Sequence, residues 1–141
     1  MNRLAVPYAS PAARAGLRGQ LLHGIALVCS LMALSAVLDP DRVAGPLGLF
    51  LVGVNGYSQF YAIYVGVRLA TAGLALLAAR RGELPILGDI AATFILAQPL
   101  GRIVAAFAIG LPQGLLLVVS GIELLAGLAL LALRPRGSLF T

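Results

Sequence analysis

The chain has 141 residues, 60% of them hydrophobic and 11% charged, and a mean hydropathy of +1.00 that excludes an ordinary soluble domain. Its net charge of +5 comes from arginines scattered between apolar stretches, with no lysine, which argues against nucleic acid as a partner. A single histidine and a single cysteine exclude an intrachain disulfide and paired Cys/His ligation of a metal or haem, so no cofactor and no metal site is expected.

Four apolar stretches, residues 21–38, 60–79, 86–109 and 115–133, each approach the roughly 20 residues that cross a hydrocarbon core. They predict an all-α integral membrane protein: one domain over residues 1–141, folded as a four-helix antiparallel bundle. Arg3, Arg14 and Arg18 precede the first span, Arg80 and Arg81 lie between the second and third, and Arg134 and Arg136 follow the fourth. The positive-inside rule then places both termini and the middle loop in the cytoplasm. The first apolar run is longer than a usual signal core and Ala33-Leu34-Ser35 is a weak cleavage site, so an uncleaved first helix is expected.

Ser10-Pro11 reads as an N-cap followed by proline at the first helical position. Arg14 and Arg18 then fall at the inner headgroups, attracted to anionic lipid, and His23 is expected to make an interfacial hydrogen bond. Cys29 lies within the apolar run, as a small buried thiol does. Asp39-Pro40-Asp41 ends the first helix. The apolar run from Leu47 to Val54 is too short to cross; it either lies on the outer interface or extends the second helix outward, with Asn55-Gly56 as a break before that helix.

At about 100° per residue, Tyr57, Tyr61, Tyr64 and Arg68 share one narrow stripe of the second span. A second stripe, Ala62, Gly66, Ala70 and Gly73, reads as a helix-packing face. In the third span Asp89 is expected to be a solvated interfacial acid near Arg80 and Arg81, Pro99 to bend the helix, and Gln98 and Arg102 to share a face. The fourth span follows Pro112, carries Ser120, Glu123 and Gly127 on one face, and stops at Arg134-Pro135-Arg136; the tail from Gly137 is too short to fold.

A charge deep in a bilayer costs several kcal/mol unless it is paired or hydrated. Counting 1.5 Å per residue from the outer ends puts Arg68, Arg102 and Glu123 at one depth, so Glu123 is expected to pair with at least one arginine. Tyr61 and Tyr64 are expected to donate to Glu123 or stack on a guanidinium, and Gln98 completes the candidate cluster. One positive charge remains. It is balanced either by water or lipid phosphate, or by an anionic or strongly polar head in a pocket open outward. The segments Gly66 to Arg80 and Gly121 to Arg134 nearly coincide with one residue deleted. This is either a chance match of Leu/Ala/Gly-rich sequence or two repeated helical hairpins, in which Arg68 and Glu123 are equivalent positions.

At Gly101-Arg102, Gly110-Leu-Pro112 and Ile122-Glu123-Leu, following Asn55-Gly56 and the stretch from Tyr64 to Gly73, the chain resembles a bacterial family of small four-helix membrane proteins. That family is known as a domain of unknown function and looks related to the DoxX-like group. Its Gly-Arg in the third helix, Gly-x-Pro-like turn and fourth-helix glutamate map onto Gly101, Arg102, Gly110, Pro112 and Glu123, and the resemblance covers roughly residues 55–133. Where such proteins often carry an arginine near the start of the second helix followed by Tyr-Gly-Gly, this chain has Tyr64-Val65-Gly66 and then Arg68. The resemblance implies a bacterial inner-membrane location and no established activity.

With no catalytic constellation in the sequence, the expected role is not enzymatic: binding of a lipid-like amphipathic or anionic molecule, or of a partner subunit or second copy, through Arg68, Arg102, Glu123, Gln98, Tyr61 and Tyr64. A small transporter or channel subunit is the alternative reading. A lipid- or isoprenoid-modifying enzyme, with Glu123 as acid or base, is a third.

Overall fold

A computed structural model describes residues 10–135; Arg3, Arg136 and the tail from Gly137, which figured in the topology argument, lie outside the described residues. Helix α1 spans Pro11–Leu38, and the Ser10 hydroxyl accepts the Ala13 N–H at 3.2 Å, one of the donors that a helix start leaves open. Asp39, restricted by the proline after it, ends α1 and turns its carboxylate onto the Arg42 N–H at 3.0 Å, capping the short helix α2, Pro40–Ala44.

A 3-10 turn, Gly45–Leu47, follows, and the chain reverses through Gly48 (φ 72) and Gly53 (φ 63), both in the left-handed region that favours glycine. Helix α3, Gly53–Tyr61, continues through a π-helical segment, Ala62–Val67, into α4, Arg68–Arg80, so the second long helix is continuous over Gly53–Arg80. The expected break at Asn55-Gly56 is absent, and both residues sit inside α3. The two positive-φ glycines already supply the reversal, and only the last two residues of the Leu47–Val54 run join the helix. Helix α5, Pro85–Ile109, runs on past Pro99, and α6 spans Gly114–Ala132.

Among the described residues, which are all-α, four helices are long and apolar enough to cross a membrane, Ala12–Leu38, Gly53–Arg80, Pro85–Ile109 and Gly114–Ala132, and the chain is a multi-pass membrane protein. The most extensive contacts are α1 with α4 and α5 with α6; α4 meets α5, while α1 barely touches α6. Alternating helix direction gathers Arg18, Arg80 and Arg134 at one end of the bundle, here the basic end, and α2 with the glycine turn at the other, the loop end. Between them the helices approach closely on alanine: Ala26, Ala72, Ala75, Ala78, Ala91 and Ala92 are all buried around Leu22 and Leu130. In lipid such packing depends on fit rather than on hydrophobic drive.

The expected packing stripe is a correction. Ala62, Gly66, Ala70 and Gly73 are all exposed, and the small residues that pack are Ala72, Ala75 and Ala78. The burial of Arg68 sets this face, because Ala72, Ala75 and Ala78 follow it at helical spacing. On α6, Gly127 is tightly seated: a Cβ there would lie 2.5 Å from Leu96 Cγ, whereas one on Gly73 would meet nothing within 4 Å. Gly127→Val is therefore expected to destabilise the bundle by about 1–3 kcal/mol through overpacking, while Gly73→Ala leaves thermal unfolding in detergent unchanged or slightly raised.

Candidate functional site

Arg68 opens α4 directly after the π-helical segment, a local widening that is found mostly at functional positions. Its Nη2 donates to Glu123 Oε1 at 2.6 Å and to Gln98 Oε1 at 3.2 Å. Arg102, four residues beyond Gln98 on α5, donates through Nη1 to Glu123 Oε2 at 2.5 Å and to Ser120 Oγ at 3.1 Å, and through Nη2 to Gln98 Oε1 at 3.3 Å. Each carboxylate oxygen thus takes one guanidinium, and the Gln98 carbonyl is shared by both. Ser120 is held in place by donating to the Leu116 carbonyl at 2.7 Å.

The side chains of Arg68 and Glu123 are 8% exposed and that of Arg102 is 18% exposed, so the pairs sit in a medium where Coulomb attraction is strong and an unpaired ion is costly. The cluster carries one charge more than it neutralises. Arg102 is its accessible member. Arg68 is the deeper one, and its Nε is buried with no hydrogen-bond partner.

Of the tyrosines in the expected stripe, Tyr64 stays on the buried face with Arg68 and lies beside Arg102, whereas Tyr57 and Tyr61 leave the cluster. Tyr64 is buried but stacks on Phe60, ring centroids 4.6 Å apart and planes at 18°, while Tyr61 is 37% exposed and meets Phe60 edge-on at 6.2 Å. Tyr57 donates to the Asp41 carboxylate at 2.9 Å, tying α3 to the turn at the loop end. The π-helical segment is the physical reason: its wider turn breaks the 100° register assumed between Tyr61 and Arg68. Among the described residues Glu123 accepts from Arg68 and Arg102.

At the basic end a second cluster replaces two expectations. Asp89, expected to be solvated beside Arg80 and Arg81, instead accepts from Arg18 Nη2 at 2.5 Å and lies 3.2 Å from Arg134 Nε. Arg18, expected among lipid headgroups, is 5% exposed, and its Nη1 donates to the Pro85 carbonyl at 3.1 Å. Gly88 makes room for it, since a Cβ there would stand 2.8 Å from the guanidinium carbon. A depth count from the inner boundary, of the kind that grouped Arg68, Arg102 and Glu123, groups Arg18, Asp89 and Arg134 too. His23 meets the Gly19 carbonyl at 2.8 Å and is exposed, in line with the interfacial reading, and Cys29 is a buried free thiol.

Cavities flank the first cluster. A space of about 670 Å³ opens between the second long helix and α5 toward the loop end, walled by Phe50, Phe60, Tyr64 and Val67, with Gln98 and Arg102 at its polar side. A narrower slot of about 300 Å³ lies between α1 and α6, reaching Arg68 and Glu123. Among the described residues no group of three His, Cys, Asp or Glu side chains could hold a metal ion.

Fold and cluster together define a class, a small multi-pass helical bundle built around a buried glutamate held by two arginines. The family model that matches is described as a domain of unknown function, DUF4345; it aligns with residues 20–133, from early α1 to the end of α6, and the chain belongs to this family. No curated protein and no solved structure matches the chain.

Proposed function

We propose that the protein binds an amphipathic molecule with an anionic head, taking the head at Arg102 and Gln98 and the apolar body in the space of about 670 Å³ between the second long helix and α5. The observation that supports this most is the cluster's uncompensated positive charge, carried toward that space by Arg102, in walls that are mostly apolar apart from Gln59 and Gln98. Charge-assisted hydrogen bonds from a guanidinium suit a phosphate or carboxylate, and a mostly apolar pocket with a few convergent polar groups suits the rest. In this reading the protein is a binding module of a bacterial inner membrane, related to the DoxX-like group, with both termini in the cytoplasm and no catalytic residue of its own. Arginines gathered at the basic end support the orientation.

Two measurements test the reading. Added phosphatidylglycerol is expected to raise the unfolding temperature of the detergent-purified protein, and Arg102→Gln to remove that increment, because only a ligand that binds the folded state stabilises it. An increment that survives Arg102→Gln sends the head elsewhere. For orientation, Gln113→Cys in a Cys29→Ser background is expected to label from outside the cell with an impermeant maleimide, and Ser138→Cys to be protected.

A further inference from the structure

The polar side of the space between the second long helix and α5 is built by Arg102, Gln98 and Tyr64, with the exposed Gln59 nearer the loop end. A guanidinium only donates, so it fixes which way each polar neighbour turns. Gln98 gives its carbonyl to Arg68 at 3.2 Å and to Arg102 at 3.3 Å, which points its amide N–H groups away from both. Tyr64, beside Arg102, can offer that guanidinium only its oxygen, which leaves the O–H proton for another partner. Arg102 commits Nη1 to Glu123 and Ser120 and one hydrogen of Nη2 to Gln98, and it keeps Nε–H and the other Nη2 hydrogen on a side chain that is 18% exposed. At this depth the space therefore meets donors from three side chains, and no carboxylate is among the residues that line it.

Charge and size narrow the occupant further. Arg68, Arg102 and Glu123 sum to one positive charge, so a single negative charge neutralises the cluster. A second negative charge would stand uncompensated between mostly apolar walls, and a zwitterion would bring a cation to a face of donors. The space of about 670 Å³ holds about 20 non-hydrogen atoms at roughly 30 Å³ each, the share of a water molecule in the liquid and close to that of a methylene. One long acyl chain with its carboxylate has that size, and a diacyl phospholipid far exceeds it. Building on the anionic reading above, we infer that the ligand is a single-chain lipid carboxylate, a long-chain fatty acid in its ionised form, whose oxygens accept from Arg102, Gln98 and Tyr64. Phosphatidylglycerol shares the single charge but leaves one of its chains outside the space, which makes it the weaker ligand.

The test is equilibrium binding of tritiated palmitate to the full chain in a non-ionic detergent, with hexadecanol, hexadecyl phosphate and phosphatidylglycerol as competitors. Hexadecanol keeps the chain without the charge, hexadecyl phosphate keeps the chain with a second ionisable oxygen, and phosphatidylglycerol keeps the single charge on two chains. Saturable binding is expected, with hexadecanol about tenfold weaker than unlabelled palmitate, the factor carried by one charge-assisted hydrogen bond, and the other two also weaker than palmitate. Gln98→Glu sets the missing negative charge into the protein beside both guanidinium groups, and is expected to abolish palmitate binding while the fold keeps its stability. Gly101→Leu fills the space from α5, where an added Cβ meets nothing within 4 Å, and is expected to abolish binding with the cluster unchanged. Absence of saturable binding, any competitor equal to or better than palmitate, or palmitate binding that persists in Gln98→Glu or Gly101→Leu would each overturn the inference. The anionic reading survives all of these while the phosphatidylglycerol increment still needs Arg102; an increment that persists in Arg102→Gln removes that reading and the fatty acid with it.

Discussion

Glu123→Gln is expected to cost about 3–5 kcal/mol and to lower the unfolding temperature in detergent more than any other single substitution at the cluster, because it leaves the buried Arg68 and the partly buried Arg102 without their counter-ion. An amide still offers one acceptor, yet neither Arg68 nor Arg102 then faces a negative charge, and both side chains are largely removed from solvent. The paired substitutions separate the two contributions. Adding Arg68→Gln should recover most of the loss, since Arg68 is the deeper partner and its Nε has no other bond. Adding Arg102→Gln should recover less, because Arg102 is more accessible and keeps Ser120 and Gln98 as partners. Strictly additive losses in both double variants would mean that the three charges do not act as one unit.

The four spans were legible because their length and apolarity are set by the bilayer rather than by packing detail. The cluster was legible for a related reason. A charge cannot be left alone at depth, so counting residues from the span ends was enough to bring Arg68, Arg102 and Glu123 together and to put Gln98 beside Arg102. What failed was local rotation. The stripe of Tyr57, Tyr61 and Tyr64 assumed an uninterrupted α-helical period, and a six-residue π-helical segment, Ala62–Val67, carries Tyr61 away from the face that Tyr64 and Arg68 share. Nothing in Ala-Ile-Tyr-Val-Gly-Val marks that segment. The small-residue stripe failed with it, since which alanines pack is decided by where Arg68 points.

The glycine turn shows a different limit. Asn55-Gly56 is a strong reversal signal in isolation, but Gly48 and Gly53 lie close by, and only the fold decides which glycines adopt positive φ. The acid at the basic end finds its partners across the bundle rather than along the chain. In sequence Asp89 lies near Arg80 and Arg81 across the loop, whereas the bundle brings it Arg18 from α1 and Arg134 from the end of α6. Both clusters repeat one chemistry, two arginines on one acid, and each ties three of the four long helices together.

That shared chemistry carries the second large prediction. Asp89→Asn removes the counter-ion of Arg18, which is 5% exposed and has one donor, Nε, already unpaired, so about 3 kcal/mol is expected to be lost in detergent unfolding. Arg134 adds little to this figure, because its side chain is 37% exposed and solvent screens the pair. Arg134→Gln alone should therefore cost well under about 1 kcal/mol, whereas Arg18→Gln in the Asp89→Asn background should restore part of the stability by removing the stranded cation. Gly88→Ala provides an independent route to the same end, since its Cβ would press on the Arg18 guanidinium at 2.8 Å and displace it from Asp89 without changing any charge. Because α1 and α6 have few other contacts, loss of this cluster should also loosen them from each other at the basic end, read as faster amide exchange in the first turns of α1 and the last turns of α6. Unchanged exchange there, with global stability lowered, would show that the Asp89 cluster stabilises the fold without holding those two helices together.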